Sequence, residues 1–162
     1  MKIKLLNWGL LLFLCLGTGC TSFHHEWRKA SRSPAPTDSY LGRWEGREVY
    51  TSRPYLGRWE GEWLSAKNGH HGKLRCLLGE DSSSTQFRAH FRATYASVLH
   101  FSYAAALTGA VTNGVVQFTG ESDLGKLGGG VYKYSGSANA THFSCTYESK
   151  YDHGTFQMSR SK

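Results

Sequence analysis

Five polar side chains combine the residue types of a metal or acid/base site. His70, His71 and His153 offer imidazoles, and Asp123 and Asp152 offer carboxylates, the groups that zinc takes as ligands. Turn-like stretches at 66–70, 122–130 and 151–154, which an eight-stranded antiparallel meander sends to one end of a barrel, bring them toward a common rim. No HExxH or CxxC spacing accompanies them, so His70, His71 and His153 are weak metal candidates. Solvated turn residues are the better reading. Serines and histidines occur elsewhere, but no spacing joins a nucleophile to a base and an orienting acid. The sequence predicts no catalytic residue and no cofactor, and the expected protein is not an enzyme; a metal-dependent or hydrolytic enzyme using these His and Asp residues is the weak alternative.

A second chemistry is apolar. Trp63, Tyr95, Tyr103, Tyr132, Tyr134 and Tyr147 fall on one alternating face together with Trp59, Phe87, Phe91, Phe143 and Phe156, and that face carries no charge. Gly61, Ala89, Ala93, Ala105, Gly120 and Gly136 are interspersed. Large beside small is how a tapering barrel interior fills itself. It is also how a narrow apolar pocket with hydroxyls for orientation would look. The first six aromatics are the candidate lining of a site for a small apolar or lipid ligand, and a filled core without a ligand is the alternative. Cys76 and Cys145 share the same face; on the second and seventh of eight strands they are expected as separate buried thiols, because a disulfide needs Cα atoms within about 4.4–6.8 Å.

The elements that position these residues are strands. From residue 57 onward apolar side chains recur with period two. Phe87 to Tyr95 alternate with Gln86, Arg88, His90, Arg92 and Thr94; Phe143, Cys145 and Tyr147 alternate with His142, Ser144, Thr146 and Glu148. Turn residues such as Asn68-Gly69, Asn113-Gly114 and Asp152-His153-Gly154 punctuate the runs. The fold class is all-β, a small antiparallel up-and-down barrel of about eight strands, with a β-sandwich as alternative. The count is eight if a turn falls near Ala96-Ser97-Val98, which has neither Gly nor Pro, and seven otherwise. No segment shows a convincing helical period.

The first 56 residues read differently. Lys2 and Lys4 precede a run from Leu5 to Leu16 that is apolar apart from Asn7 and Gly9. A run of that length suits a signal peptide and is short for a membrane span. It ends on Leu16-Gly17-Thr18-Gly19-Cys20, which resembles a bacterial lipobox, with Gly17 where Leu is usual. The resemblance implies cleavage after residue 19 and a lipid on Cys20, with Cys15 removed. Thr21 rather than Asp follows the cysteine, which implies the outer membrane in a Gram-negative envelope. Two or three acyl chains anchor stably where one is marginal. Residues 20–56 then read as the lipidated cysteine and a linker containing a duplicated segment, and 57–162 as the barrel domain. Within the linker, the patch from His24 to Lys29 carries a Trp and cations suited to headgroups.

The duplication is Tyr40-Leu41-Gly42-Arg43-Trp44-Glu45-Gly46, repeated as Tyr55-Leu56-Gly57-Arg58-Trp59-Glu60-Gly61. The second copy runs on into Trp63 and keeps the strand alternation. The first has Glu48 at the matching position, so the second belongs to the barrel.

Charge narrows the partners. The whole chain carries +7; after position 19 there remain 17 basic and 12 acidic residues, about +5. No run of Lys and Arg forms a patch, so nucleic acid is not an expected partner. The expected partners are the membrane, through the lipid anchor, and a small apolar ligand; the sequence leaves the oligomeric state open. An outer-membrane barrel is disfavoured, because the strands are short for it and the chain ends Ser159-Arg160-Ser161-Lys162 without a terminal aromatic.

Gly57-Arg58-Trp59 resembles the Gly-x-Trp opening of lipocalin- and avidin-like (calycin) barrels. That resemblance implies a Trp plugging the closed end of the barrel. The mature chain also resembles a family of short bacterial lipoproteins, and this brings no activity with it.

Overall fold

A computed structural model describes residues 17–32, 39–44, 47–51 and 53–161, with side chains over 22–32, 53–126 and 128–161. Strands β3 (Gly57–Ser65), β4 (His71–Glu80), β5 (Gln86–Tyr95), β6 (Leu99–Thr112), β7 (Val115–Asp123), β8 (Val131–Ala138), β9 (His142–Ser149) and β10 (His153–Arg160) form one closed antiparallel barrel in the order β10-β3-β4-β5-β6-β7-β8-β9. Each strand pairs with its neighbours in sequence, and β10 returns to β3 with Phe156 opposite Trp63 and Met158 opposite Gly61. The period-two runs are the inward faces: Phe87, Ala89 and Phe91 are buried, as are Phe143, Cys145 and Tyr147. The fold is the expected eight-stranded up-and-down barrel. Ahead of it, β1 (Ser39–Trp44) and β2 (Arg47–Thr51) pair with each other as a separate two-stranded sheet.

The eighth strand depends on a turn built without glycine. Ala96 and Ser97 adopt φ of 49° and 63°, and the Val98 N–H donates to the Tyr95 carbonyl at 3.2 Å. L-residues in the left-handed region cost about 1–2 kcal/mol each. That cost is why the sequence gives so weak a turn signal here.

The interior is filled around Phe91. Its ring lies 5.3 Å from those of Tyr103 and Phe156, 6.0 Å from Tyr134 and 6.3 Å from Phe143. The inward glycines do not open space beside it. A Cβ on Gly154 would sit 1.9 Å from the Leu64 carbonyl oxygen, and one on Gly61 would sit 2.0 Å from that of Gln157. Gly72, Gly109, Gly120 and Gly136 meet neighbouring backbone in the same way. These positions let tightly coiled strands approach each other and close the ring.

One element departs from the sequence reading. The linker segment forms α1 (Gly17–Arg32), a helix carrying Phe23 and Trp27 on one face. Phe23 is fully buried and Trp27 is 8% exposed. Phe23 packs edge-on against His90, and Trp27 lies 5.3 Å from the Arg58 guanidinium and 5.2 Å from that of Arg75. Glu26 pairs with His90 at 2.8 Å. Burial works against the Glu26 carboxylate, yet hydrogen bonds from His90 and Ser22 hold its pKa below the ordinary value. An aromatic pair four residues apart, placed against outward-facing cations, supplies cation–π and apolar contact together. The surrounding polar residues and the nearby Pro34 and Pro36 hide this face in the sequence. No helix among the described residues is long and apolar enough to cross a membrane.

Candidate functional site

The two ends of the barrel differ. The end where β3 begins is closed. Trp59 is fully buried there and donates its ring N–H to the Tyr55 carbonyl at 3.1 Å. The Arg160 guanidinium lies 4.3 Å from the Trp59 ring and donates to the Leu56 carbonyl at 2.5 Å. Burial lowers the pKa of Arg160. Trp59 thus lies buried at this end, beneath Tyr55, Leu56 and Arg160.

The opposite end is open. It is formed by the turns after β3, β5, β7 and β9, and all six candidate lining residues lie in this half. Trp63 stacks on Tyr95, centroids 6.1 Å apart, and donates its ring N–H to the Thr94 carbonyl at 3.1 Å. Tyr132 and Tyr147 pack 6.0 Å apart, and Tyr103 and Tyr134 stack at 6.5 Å. Tyr134 and Tyr147 are buried; Trp63, Tyr95, Tyr103 and Tyr132 are partly exposed. The β5–β6 hairpin overhangs this mouth. β6 pairs with β5 from Leu99 onward but with β7 only from Ala106 onward. Leu99 and Phe101 belong to the inward-facing set of β6, yet with no strand beyond them they are 48% and 45% exposed.

Three phenols of this half, Tyr103, Tyr134 and Tyr147, are held protonated. Burial raises the Tyr103 pKa well above the ordinary phenol value, with Tyr134 adding to the shift. Burial also raises Tyr134, against a 3.5 Å contact with the Ser122 hydroxyl. Tyr147 is raised by burial and by the charge of Asp152, to which it donates at 3.1 Å. These phenols are therefore neutral hydrogen-bond donors and acceptors at physiological pH, suited to orienting an apolar molecule and unsuited to base catalysis. The two thiols lie deeper and are free and buried, as expected. Burial pushes Cys145 up to about 12 and Cys76 well above its ordinary value, so neither is a nucleophile at neutral pH.

The histidines do not gather. The His70 ring packs edge-on against Tyr95, its Nδ1 3.3 Å from the phenol oxygen, while His71 Nδ1 faces the Gly69 carbonyl at 3.3 Å. His153 lies on β10, its backbone N–H donating to Asp152. Asp152 is engaged by Ser65 at 2.6 Å and by Tyr147; Asp123 accepts from the Gly125 N–H at 2.8 Å. Among the described residues no three His, Cys, Asp or Glu side chains are grouped to hold a metal ion. Cys20 lies in the first turns of α1, and its side chain is outside the described residues.

Two grooves of about 390 and 600 Å³ open on the outer wall, one over β6–β8 beside Thr108, Gln117 and Ser135, the other over β8–β10 beside Lys133, Thr146 and Thr155. Compared with protein-family models, with curated proteins and with solved structures, the chain matches none.

Proposed function

We propose that the chain is a membrane-anchored envelope lipoprotein, held by a lipid on Cys20, whose calycin-like barrel takes a small apolar or lipid ligand at its open end. The observation that carries this reading is the overhang. Leu99 and Phe101 stand half-exposed on the inward-facing set of β6, and Trp63, Tyr95, Tyr103 and Tyr132 are partly exposed in the same half, so apolar and phenol surface is left uncovered at this end. Such surface is favourable to cover, at about 25 cal/mol per Å² of apolar area removed from water. The ligand occupies the mouth and not the depth of the barrel, because Phe91 and its neighbours fill the interior. The test is Trp fluorescence titrated with fatty acids and phospholipids, with Ala93→Trp as a variant that crowds the mouth. A saturable response in the wild type, lost in the variant, is expected; no response to any lipid overturns the ligand. Anchoring is tested separately, by loss of acylation and of membrane fractionation in Cys20→Ala.

A specific observation favours a second reading, an envelope module with a filled core and no ligand. The inward glycines admit neighbouring backbone instead of leaving room. The same titration separates the two readings.

A further inference from the structure

We infer that the open rim of the barrel docks on an anionic lipid surface, so that the mouth faces the bilayer. The inference rests on the anchoring reading only for placing the protein beside a bilayer; the rim contact is a property of the barrel itself. Among the described residues seven large apolar side chains are exposed, and six of them lie at this end: Leu64, Val98, Leu99, Phe101, Val131 and Tyr151. Val98, at the tip of the β5–β6 turn, is 72% exposed. Apolar exposure concentrated at one end of a small protein marks a contact surface.

The charge around these side chains identifies the partner. Lys67, Lys126 and Lys150 stand on three of the four rim turns. Lys67 donates to the Tyr151 carbonyl at 2.7 Å, and the Lys150 ammonium lies 5.4 Å from the Tyr151 ring, so two cations bracket an exposed aromatic. Of the carboxylates on the same turns, Asp152 is turned to Ser65 and Tyr147, while Asp123 is exposed and accepts from the Gly125 N–H, so the lysines of these turns outnumber the exposed carboxylate. On the wall below, Glu62 and Glu148 stand in register with Lys73 and Lys133. The outermost surface is thus apolar and cationic, the composition that enters the headgroup layer of an acidic membrane.

The helix brings the anchor to the same end. α1 packs across the wall with Trp27 at Arg58 and Arg75, while His24 comes within electrostatic reach of Arg92 and of His100, which pairs with Thr94 near the rim. Cys20 lies one helical turn before His24. Phe23, only three residues after Cys20, is fully buried against the barrel. A lipid there holds the barrel close to the bilayer with its open half nearest.

The experiment uses the full chain purified from membranes of a bacterial host, with an environment-sensitive fluorophore at Val98→Cys on the rim or at Ser83→Cys on the opposite end; the thiols of Cys76 and Cys145 are buried. Each is mixed with vesicles of phosphatidylcholine alone or with phosphatidylglycerol. The Val98→Cys label should shift to the blue and be quenched by lipid-borne spin label on acidic vesicles, and the Ser83→Cys label should not. Replacing Lys67, Lys126 and Lys150 by Gln should weaken the rim contact about a hundredfold, roughly fivefold for each lysine. A Val98→Cys label that stays in water, or labels quenched alike at both ends, overturns the proposal. Mass spectrometry of the same preparation reads acylation of Cys20 independently. An unacylated chain whose rim inserts sinks the anchoring reading and leaves this one standing; an acylated chain whose rim stays dry does the reverse.

Discussion

The two halves of the barrel interior are built from the same eight strands and the same alternate positions, yet they have opposite characters. Towards the closed end the inward residues are Trp59, Leu78, Phe87, Val116, Phe118, Phe143 and Met158, none more than 4% exposed. Towards the open end Tyr134 and Tyr147 are still buried, but Trp63, Tyr95, Tyr103 and Tyr132 are partly exposed, and Leu99 and Phe101 have no facing wall. The closed half holds the fold together. The open half keeps apolar surface uncovered, at a cost in stability that a chain selected only for stability would not carry.

The strongest way to break this contrast is to truncate one aromatic in each half. Phe143→Ala, in the closed half, should cost about 3–5 kcal/mol, as loss of a fully buried ring does. Tyr132→Ala should cost less than about 1 kcal/mol, because its ring is already partly in water. Urea unfolding at pH 7 measures both, and equal losses would abolish the distinction.

Alkaline titration probes the filled interior differently. The Cys145 thiol moves from its ordinary value of 9.0 to about 12 in the folded state. The folded chain therefore holds this proton more tightly than the unfolded chain does. Stability is full below pH 9 and falls as pH rises towards 12, by up to about 4 kcal/mol for a shift of that size. Tyr103 and Tyr134, whose hydroxyls are raised by burial, act in the same direction. Urea midpoints collected from pH 8 to 11 should decline, and Cys145→Ala should flatten the decline.

Gly154→Ala should cost about 1–3 kcal/mol, since the added methyl meets the Leu64 carbonyl and a strand must shift. Gly79→Ala, with nothing within 4 Å of the new methyl, is the matched control and should be nearly neutral. Similar values for the two would mean that the inward glycines do not serve to close the ring.

The smallest effect sharpens the view of the open half. Ala96→Gly should stabilise the protein by about 1 kcal/mol, by relieving a left-handed φ at the rim turn. Thermal unfolding detects a gain of that size, and a loss would show that the methyl has a packing role.

The barrel was legible in the sequence because half-buried strands write themselves as alternation. Phe87 to Tyr95 and Phe143 to Tyr147 left little choice of face. All six nominated aromatics fall in one half, because strand parity and turn order together set the end at which a residue sits. Other features were not legible. The turn at Ala96-Ser97 uses strained backbone in place of turn residues, so composition could not reveal it. The inward glycines read as missing bulk, whereas the neighbouring strand already occupies the space. α1 escaped because its stability comes from Arg58, Arg75 and His90, which are distant in sequence and whose outward placement becomes meaningful only once the sheet exists. His70, His71 and His153 share an end of the barrel, but side-chain direction, which spacing does not encode, keeps them apart.

The duplicated heptapeptide has a consequence for the route to the folded state. Two identical segments compete for a single slot between β10 and β4, and the first to emerge during synthesis is the wrong one. The first copy can satisfy the ladder as far as its Glu45-Gly46, but then sets Glu48 where Trp63 would stack on Tyr95, and a carboxylate there has no partner to offset its loss of water. The misthreaded ring is therefore expected as a transient trap that must reopen before β3 can enter. Refolding should show a slow phase in the full chain that disappears when residues 40–54 are deleted, and its persistence in the deletion variant would acquit the repeat.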